Sequence, residues 1–412
     1  MTAADSLFVN IDRLTARLDE LAEIGPLEPG GSSRLAFTEL DGGGRDLVVT
    51  WMRDLGLEIT VDGIGNVIAT RAGRHDGPPV MTGSHIDTVR TGGRFDGCLG
   101  VLAGLEVIET LMDADITTDR AMAVGFFSNE EGARFAPDMM GSLVYVGGMP
   151  LEEALDTVGI DGTRVRDDLD AIGYFGSSPI PGVSPHAFVE LHIEQGPVLE
   201  EGAVTIGAVE SVQGISWTEI ELVGQSNHAG TTPMRLRHDA GYSAAAVSTF
   251  VRGLAEDMGG DQVATCGAMT LHPNLVNVIA AKATITVDLR NTDEALLQEA
   301  EARLASFLEA LAVSEGIEVT TRTLARFEPV VFDPNVVDLV EANAAALGHS
   351  VIRMPSGAGH DAQMMARVAP TGMVFVPSID GISHNPEEMT DVADLEAGAN
   401  VLLRTLVQLA TD

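Results

Sequence analysis

Between Gly83 and Gly104 the chain reads GSHIDTVRTGGRFDGCLGVLAG, which sets His85, Asp87 and Asp96 on either side of a glycine-rich turn. One imidazole and one carboxylate brought in from separate elements on a rigid scaffold suit a hard or borderline divalent metal. Asp87 follows His85 by two residues, so along a strand it points the same way and can hold the imidazole tautomer. A second acidic site closes MAVGFFSNEEG, where Glu130 and Glu131 are adjacent. Adjacent residues diverge, so one carboxylate can bind a metal while the other faces an attacking water. In AFVELHIEQGP, His192 and Glu194 share one strand face while Ile193 takes the other. Plainer readings compete at each place: a polar turn, a solvated helix start favoured by the helix dipole, a core histidine.

These residues need elements to carry them. The run Pro79 to Thr82 predicts a buried strand and the run Leu99 to Leu111 a helix, which puts His85 at a strand end and Asp96 near a helix start. Residues 122–128 predict a strand that runs straight into Asn129 and the two glutamates. Residues 187–193 alternate as a strand and end at Gln195-Gly196-Pro197. In an open α/β sheet, ligands bind outside the carboxyl ends of the strands, where His85 and the glutamate pair both fall.

Before this region, apolar spacing predicts a helix over 5–28, a glycine- and serine-rich loop over 29–44, a helix over 45–56, and strands over 57–62 and 66–73. Residues 151–185 read as helix and then irregular chain. After about residue 210 the pattern changes to strand 214–224, helix 239–258, strands 262–272 and 278–290, helix 293–316 and strand 317–323. That β-α-β-β-α-β order is ferredoxin-like and implies a second core interrupting the first. The chain then returns with helix 334–347, PSGAGHDAQMMARV, strand 371–378, DGISHNP and helix 391–410. The expected division is 1–211 and 326–412 for one α/β domain, with 212–325 for the insertion.

Composition removes several function classes. A net charge of −37 over 412 residues argues against nucleic acid and anionic membrane, which need a basic footprint. No apolar run reaches the length of a membrane span, and the opening MTAADSLFVNIDRLTARL lacks the basic and apolar blocks of a signal peptide. Lys282 is the only lysine, so there is no Walker-type loop and a single candidate for Schiff-base chemistry. There is no G-x-S-x-G elbow. Cys98 and Cys266 form no CxxC pair, which points to a reducing cytoplasm.

GSHIDT, FDG, NEEGARF, ELHIEQGP, HAGTTPM, VDLRN, SGAGHDA and ISHNP follow one another in an order that resembles the hydantoinase/carbamoylase amidases. That family holds N-carbamoyl-L-amino acid hydrolases, allantoate amidohydrolases and β-ureidopropionases within a clan of dinuclear metal aminoacylases and carboxypeptidases. The resemblance spans roughly residues 40 to 410. It implies a mixed-sheet dinuclear metallohydrolase domain interrupted by a ferredoxin-like α+β lid and dimerisation domain. It also implies two divalent ions of zinc, manganese, cobalt or nickel. Asp96 would bridge them, His85 and His192 would complete one ligand set, and Glu131 and His384 the other. Glu130 would be the general base, with Asp87 behind His85.

On the substrate side the resemblance implies Arg290 gripping an α-carboxylate, Asn277 and Gln195 adding polar contacts, and Gly357 and Gly359 letting backbone approach closely. His228 would reach the reacting carbonyl from the partner subunit of a homodimer. For Arg290 a surface salt bridge, and for His228 a loop cap, remain the alternatives; His360 and Asp361 read as shaping groups. Ala280, and Leu275-Val276, depart from the family pattern on both sides of Asn277. The implied reaction is hydrolysis of a small-molecule N-carbamoyl-L-amino acid to the amino acid, CO2 and ammonia through a metal-activated water. Allantoate, ureidoglycolate or N-acyl amino acid hydrolysis is the alternative, because each presents the same carbonyl.

Overall fold

The computed structural model describes residues 7–411, which form two compact units. The first comprises the described residues up to Glu210 and from Val331 onward, and the second is Ser211–Val330.

In the first unit, four central strands run parallel: Thr371–Val376, Ala187–Ile193, Val80–His85 and Met122–Phe127. Antiparallel strands flank them, Ile206–Val212 beyond Thr371–Val376 on one side, Val67–Arg71 and then Glu58–Val61 on the other. Every residue of the four parallel strands is buried, as a sheet covered on both faces requires. The helices Cys98–Asp113 and Val392–Thr411 pack against each other on one face, the first of them apolar almost all round, and Met140–Tyr145 and Asp361–Met365 lie on the other. Where the chain leaves this unit and returns, the Phe332 N–H donates to the Glu210 carbonyl at 2.9 Å.

Two expectations need correction here. The first helix occupies Ile11–Ala22 rather than 5–28, capped by the Asn10 side chain accepting from the Arg13 N–H; residues 5 and 6 lie outside the described residues. The expected loop 29–44 gives way to helix at Glu39, and the helix Glu39–Asp54 takes in Gly42, Gly43 and Gly44. Thr38 caps it, and buried Asp41 accepts from the Phe37 N–H and from Arg45 one turn on, both at 2.8 Å. Local capping and a buried ion pair therefore outweigh the low helix propensity of glycine.

The second unit is a four-stranded antiparallel sheet in the order Val263–His272, Lys282–Asn291, Gly214–Val223, Glu318–Phe327. Lys282–Asn291 alternates strictly between covered and open positions, and its Ala283, Ile285, Val287 and Leu289 face the helices Ala240–Met258 and Glu294–Glu315. This is the ferredoxin-like order. The strand expected from residue 278 begins at Lys282, which leaves Asn277 in irregular chain. Among the described residues no helix is long and apolar enough to cross a membrane.

Candidate metal centre

The parallel strands deliver the chemistry at their carboxyl ends. His85 is the last residue of its strand, Glu130 and Glu131 follow Met122–Phe127, His192 closes its strand one residue from the end, and His384 follows Thr371–Val376 by a loop. Asp96 precedes the helix Cys98–Asp113, and Gly97 between them has φ +65°. A Cβ at Gly97 would fall on the His85 ring, so the helix start can approach the strand end only through glycine.

Asp96 divides its carboxylate between two sets of side chains. Its Oδ1 lies 3.2 Å from His192 Nε2 and 3.6 Å from His85 Nε2, while its Oδ2 lies 3.4 Å from His384 Nε2. Glu131 stands 3.2 Å from His384 Nε2, and Glu130 3.3 Å from His85 Nε2. Thus His85, Asp96 and His192 make one group, and Asp96, Glu131 and His384 another.

Hydrogen bonds set the imidazoles for ligation. Nδ1 of His85 donates to the Asp87 carbonyl and Nδ1 of His192 to the Ile193 carbonyl, each at 2.9 Å. That turns the Nε2 atoms of both rings toward Asp96, where each can carry a lone pair for a metal or a proton for the carboxylate. The Gly97 N–H lies 3.1 Å from His192 Nε2. Imidazole nitrogens and carboxylate oxygens converging in a buried site need a cation between them, and the donor set fits divalent metals.

The electrostatics report the same demand. Burial works against ionised Asp96, yet hydrogen bonding to His192 and the charges of His192, His85 and His384 hold it well below the usual carboxylate range. Burial lowers His85. His192, also opposed by burial, is drawn up to about 9 by Asp96. Glu131 draws His384 up to about 9. Burial pushes Glu130 well above its ordinary value, reinforced by Asp361, Glu131, Asp87 and Asp96.

A third group, Glu190, His192 and His360, is differently used. Glu190 accepts from Ser84 Oγ at 2.6 Å and from the Ala362 N–H at 2.8 Å, and His360 Nε2 bonds Ser356 Oγ at 2.9 Å. With those atoms engaged, His360 serves as an edge-on wall, its ring centroid 4.5 Å from that of His192.

The expected role of the Asp87 side chain needs correction. It is the Asp87 backbone carbonyl that holds His85; the carboxylate instead accepts from the Glu130 N–H at 3.2 Å. Beyond His85 the chain bends away from the strand, so same-face alternation no longer applies. Gln195, at φ +58°, donates through Nε2 to Asp96 Oδ2 at 2.9 Å, and its Oε1 is buried with no hydrogen-bond partner. A Cβ at Gly357 would meet nothing within 4 Å, whereas one at Gly359 would strike Met139.

The remaining expected residues lie in the second unit. His228 Nδ1 accepts from the N–H groups of Gly230 and Thr231 at 3.0 and 3.3 Å, which makes Nε2 the protonated nitrogen. Asn277 is beside it in the chain fold, its carbonyl accepting from the Ala229 N–H at 3.0 Å. Arg290 lies along the Lys282–Asn291 strand with its guanidinium donating to Asp288 at 2.9–3.1 Å.

Sequence reasoning missed Arg34, Ser383 and Glu388. Arg34 is fully buried and donates to the Ile86 carbonyl and to Cys98 Sγ, between the His85 strand and the Asp96 helix. Ser383 Oγ reaches both Asp96 Oδ2 and Glu388. Burial, then the charge of Asp96, pushes Glu388 up to about 7. The available signal was position: Glu388 follows His384 by one helical turn's spacing in a segment otherwise read as loop.

Residues 81–408 match the family described as Peptidase family M20/M25/M40. The chain is 40% identical over 403 residues to an N-carbamoyl-L-amino-acid amidohydrolase of Rhizobium meliloti, covering 98% of this chain and 97% of that protein. An allantoate amidohydrolase of Bacillus subtilis is 33% identical over 405 residues, 96% and 97% of the two chains. The crystal structure of an amidase of the hydantoinase/carbamoylase family from Burkholderia multivorans superposes with a TM-score of 0.93 at 46% identity, covering 99% of each chain.

Proposed function

The chain belongs to peptidase family M20/M25/M40 and to its hydantoinase/carbamoylase amidases, and from that premise we propose that it hydrolyses N-carbamoyl-L-amino acids with two divalent cations. The products are the L-amino acid, carbon dioxide and ammonia. The observation that carries this reading is the Asp96 carboxylate, with one oxygen turned to each of two ligand groups and Glu130 beside them. Five protein ligands over two ions leave positions for water and substrate, and mixed imidazole and carboxylate donors suit zinc or manganese. When bound, the cations would polarise the scissile carbonyl and lower the pKa of the water and of Glu130 next to it.

The chain's own residues supply the proton path and the grip. Glu130 would take a proton from the attacking water and deliver it to the departing nitrogen as the C–N bond breaks. Its burial keeps that proton from bulk solvent. The unpartnered Oε1 of Gln195 supports a role in accepting a substrate N–H. For His228 we propose oxyanion stabilisation from a second copy of the chain, supported by its Nε2–H tautomer. For Arg290 we propose the substrate carboxylate as ligand, sharing the guanidinium with Asp288. The cytoplasm is the proposed compartment, in keeping with two free cysteines.

The test is release of ammonia and amino acid from N-carbamoyl-L-amino acids, allantoate and N-acetyl amino acids, on chelated enzyme with and without manganese. Metal-dependent ammonia release from a carbamoyl amino acid is expected. Amino acid release without ammonia would overturn the substrate class in favour of an aminoacylase, and turnover of allantoate alone would overturn it in favour of an allantoate amidohydrolase.

A further inference from the structure

Glu388 lies outside the ligand set, yet it joins the two loops that supply Asp96 and His384. Its Oε1 accepts from two successive N–H groups, Phe95 at 3.0 Å and Asp96 at 3.1 Å, and its Oε2 accepts from Ser383 Oγ at 2.9 Å. Ser383 immediately precedes His384, and its hydroxyl also reaches Asp96 Oδ2 at 3.3 Å. Gly93 makes room for this clamp, because a Cβ there would fall on the Glu388 carboxylate.

His384 needs such support more than the other ligands do. Its side chain is 51% exposed, against 1–2% for His192 and His85, and its backbone sits at φ +53° on a loop. His85 and His192 stand on central strands whose ladders already fix them. The His384 carbonyl accepts a hydrogen bond from Thr91 Oγ1 at 3.1 Å.

We propose that Glu388 is a positioning residue that locks the Phe95–Asp96 loop against the Ser383–His384 loop and thereby sets the affinity for the cation held by Asp96, Glu131 and His384. The cation held by His85, Asp96 and His192 depends on it much less. The proposal rests on the two-cation reading above. A conserved-shape amide satisfies the same geometry: in Glu388→Gln, Oε1 accepts from the two N–H groups and Nε2 donates to Ser383 Oγ, which can still donate to Asp96. Glu388→Asp keeps the charge but is one methylene too short to span both loops.

The experiment is titration of the metal-free full-length protein with manganese or zinc against a competing chelator, for wild type, Glu388→Gln, Glu388→Asp, Glu388→Ala and His384→Ala. In Glu388→Asp the weaker of two binding events should fall about 10- to 100-fold, the range for residues that orient metal ligands, with the tighter event little changed. Glu388→Gln should bind both cations as wild type does. Turnover of Glu388→Asp should return at saturating metal with KM unchanged. Wild-type binding of both cations in folded Glu388→Asp would overturn the proposal, as would equal loss of both events in Glu388→Asp and Glu388→Gln. If Glu388→Ala does not fold, the aspartate and glutamine variants still decide. Wild type binding fewer than two cations, or His384→Ala leaving the isotherm unchanged, would overturn the two-cation reading together with this one. Two events in wild type and an unaltered Glu388→Asp isotherm would overturn this inference alone.

Discussion

Glu130 and Glu131 are neighbours with different partners, one facing His85 and the other His384. Removing the proton-carrying capacity of Glu130 should therefore leave the ligand set whole. Glu130→Gln is expected to bind metal as wild type does while kcat falls by about 10²- to 10⁴-fold, read by metal analysis beside steady-state kinetics. A second expectation concerns Cys98, where burial pushes the thiol up to about 11 and Arg34 donates to Sγ at 3.1 Å. Ellman's reagent at pH 8 should leave Cys98 untouched in the native protein and react with it only after denaturation. At this scale the family resemblance singled out His85, Asp96, Glu131, His192 and His384 together, and the structure brings their side chains into two adjoining groups. The sequence was not readable where the bonding atom belongs to the backbone. Asp87 holds His85 through its carbonyl, and Glu388 answers two loop N–H groups; no residue type announces either.

The elements that carry the site were legible for a different reason. Met122–Phe127 and Thr371–Val376 read as near-continuous apolar runs, as strands buried on both faces do, whereas Ala187–Ile193 was read from its alternation, with Glu190 and His192 inside it. The first turns of the helix Glu39–Asp54, ahead of the expected start at 45, were hidden because their stability resides in a tertiary network. Arg45 donates to Asp41, to the Gly65 carbonyl and to Ser128 Oγ, with both members of the ion pair fully buried. Arg45→Ala leaves the Asp41 carboxylate buried without its cation and should destabilise the protein by about 3–5 kcal/mol in urea unfolding. Close by, Asp62 accepts from the N–H groups of Ile64 and Asn66 in the turn between Glu58–Val61 and Val67–Arg71, and burial pushes it up to about 6 from its ordinary 3.8. A carboxyl group raised by folding binds its proton more tightly in the native state, so its contribution is full below the unfolded value and lost as pH rises through about 6. The stability of wild type minus that of Asp62→Asn should fall between about pH 4 and pH 7 in paired denaturation curves.

Across the molecule, 61 acidic residues face 24 basic ones, and the compact state concentrates that repulsion. Screening reaches about 10 Å at 0.1 M salt, so the melting temperature should rise between about 0.05 and 0.5 M sodium chloride; a flat or falling curve would show that local ion pairs dominate. The change of pattern after residue 210 was visible because the second unit has its own alternation and helix periods, each complete without the first. The hydrogen bond from Phe332 to Glu210 gives that insertion a further meaning. Its two ends are held at the distance of paired strands, and because closure entropy grows only logarithmically, each doubling of the interval's length adds only about 0.6 kcal/mol to the cost of closing the parent sheet. The interval behaves as a cassette. Recombination could exchange it, and a protein engineer could graft another fold in its place, without re-threading the strands that end near His85, Glu130, Glu131 and His192.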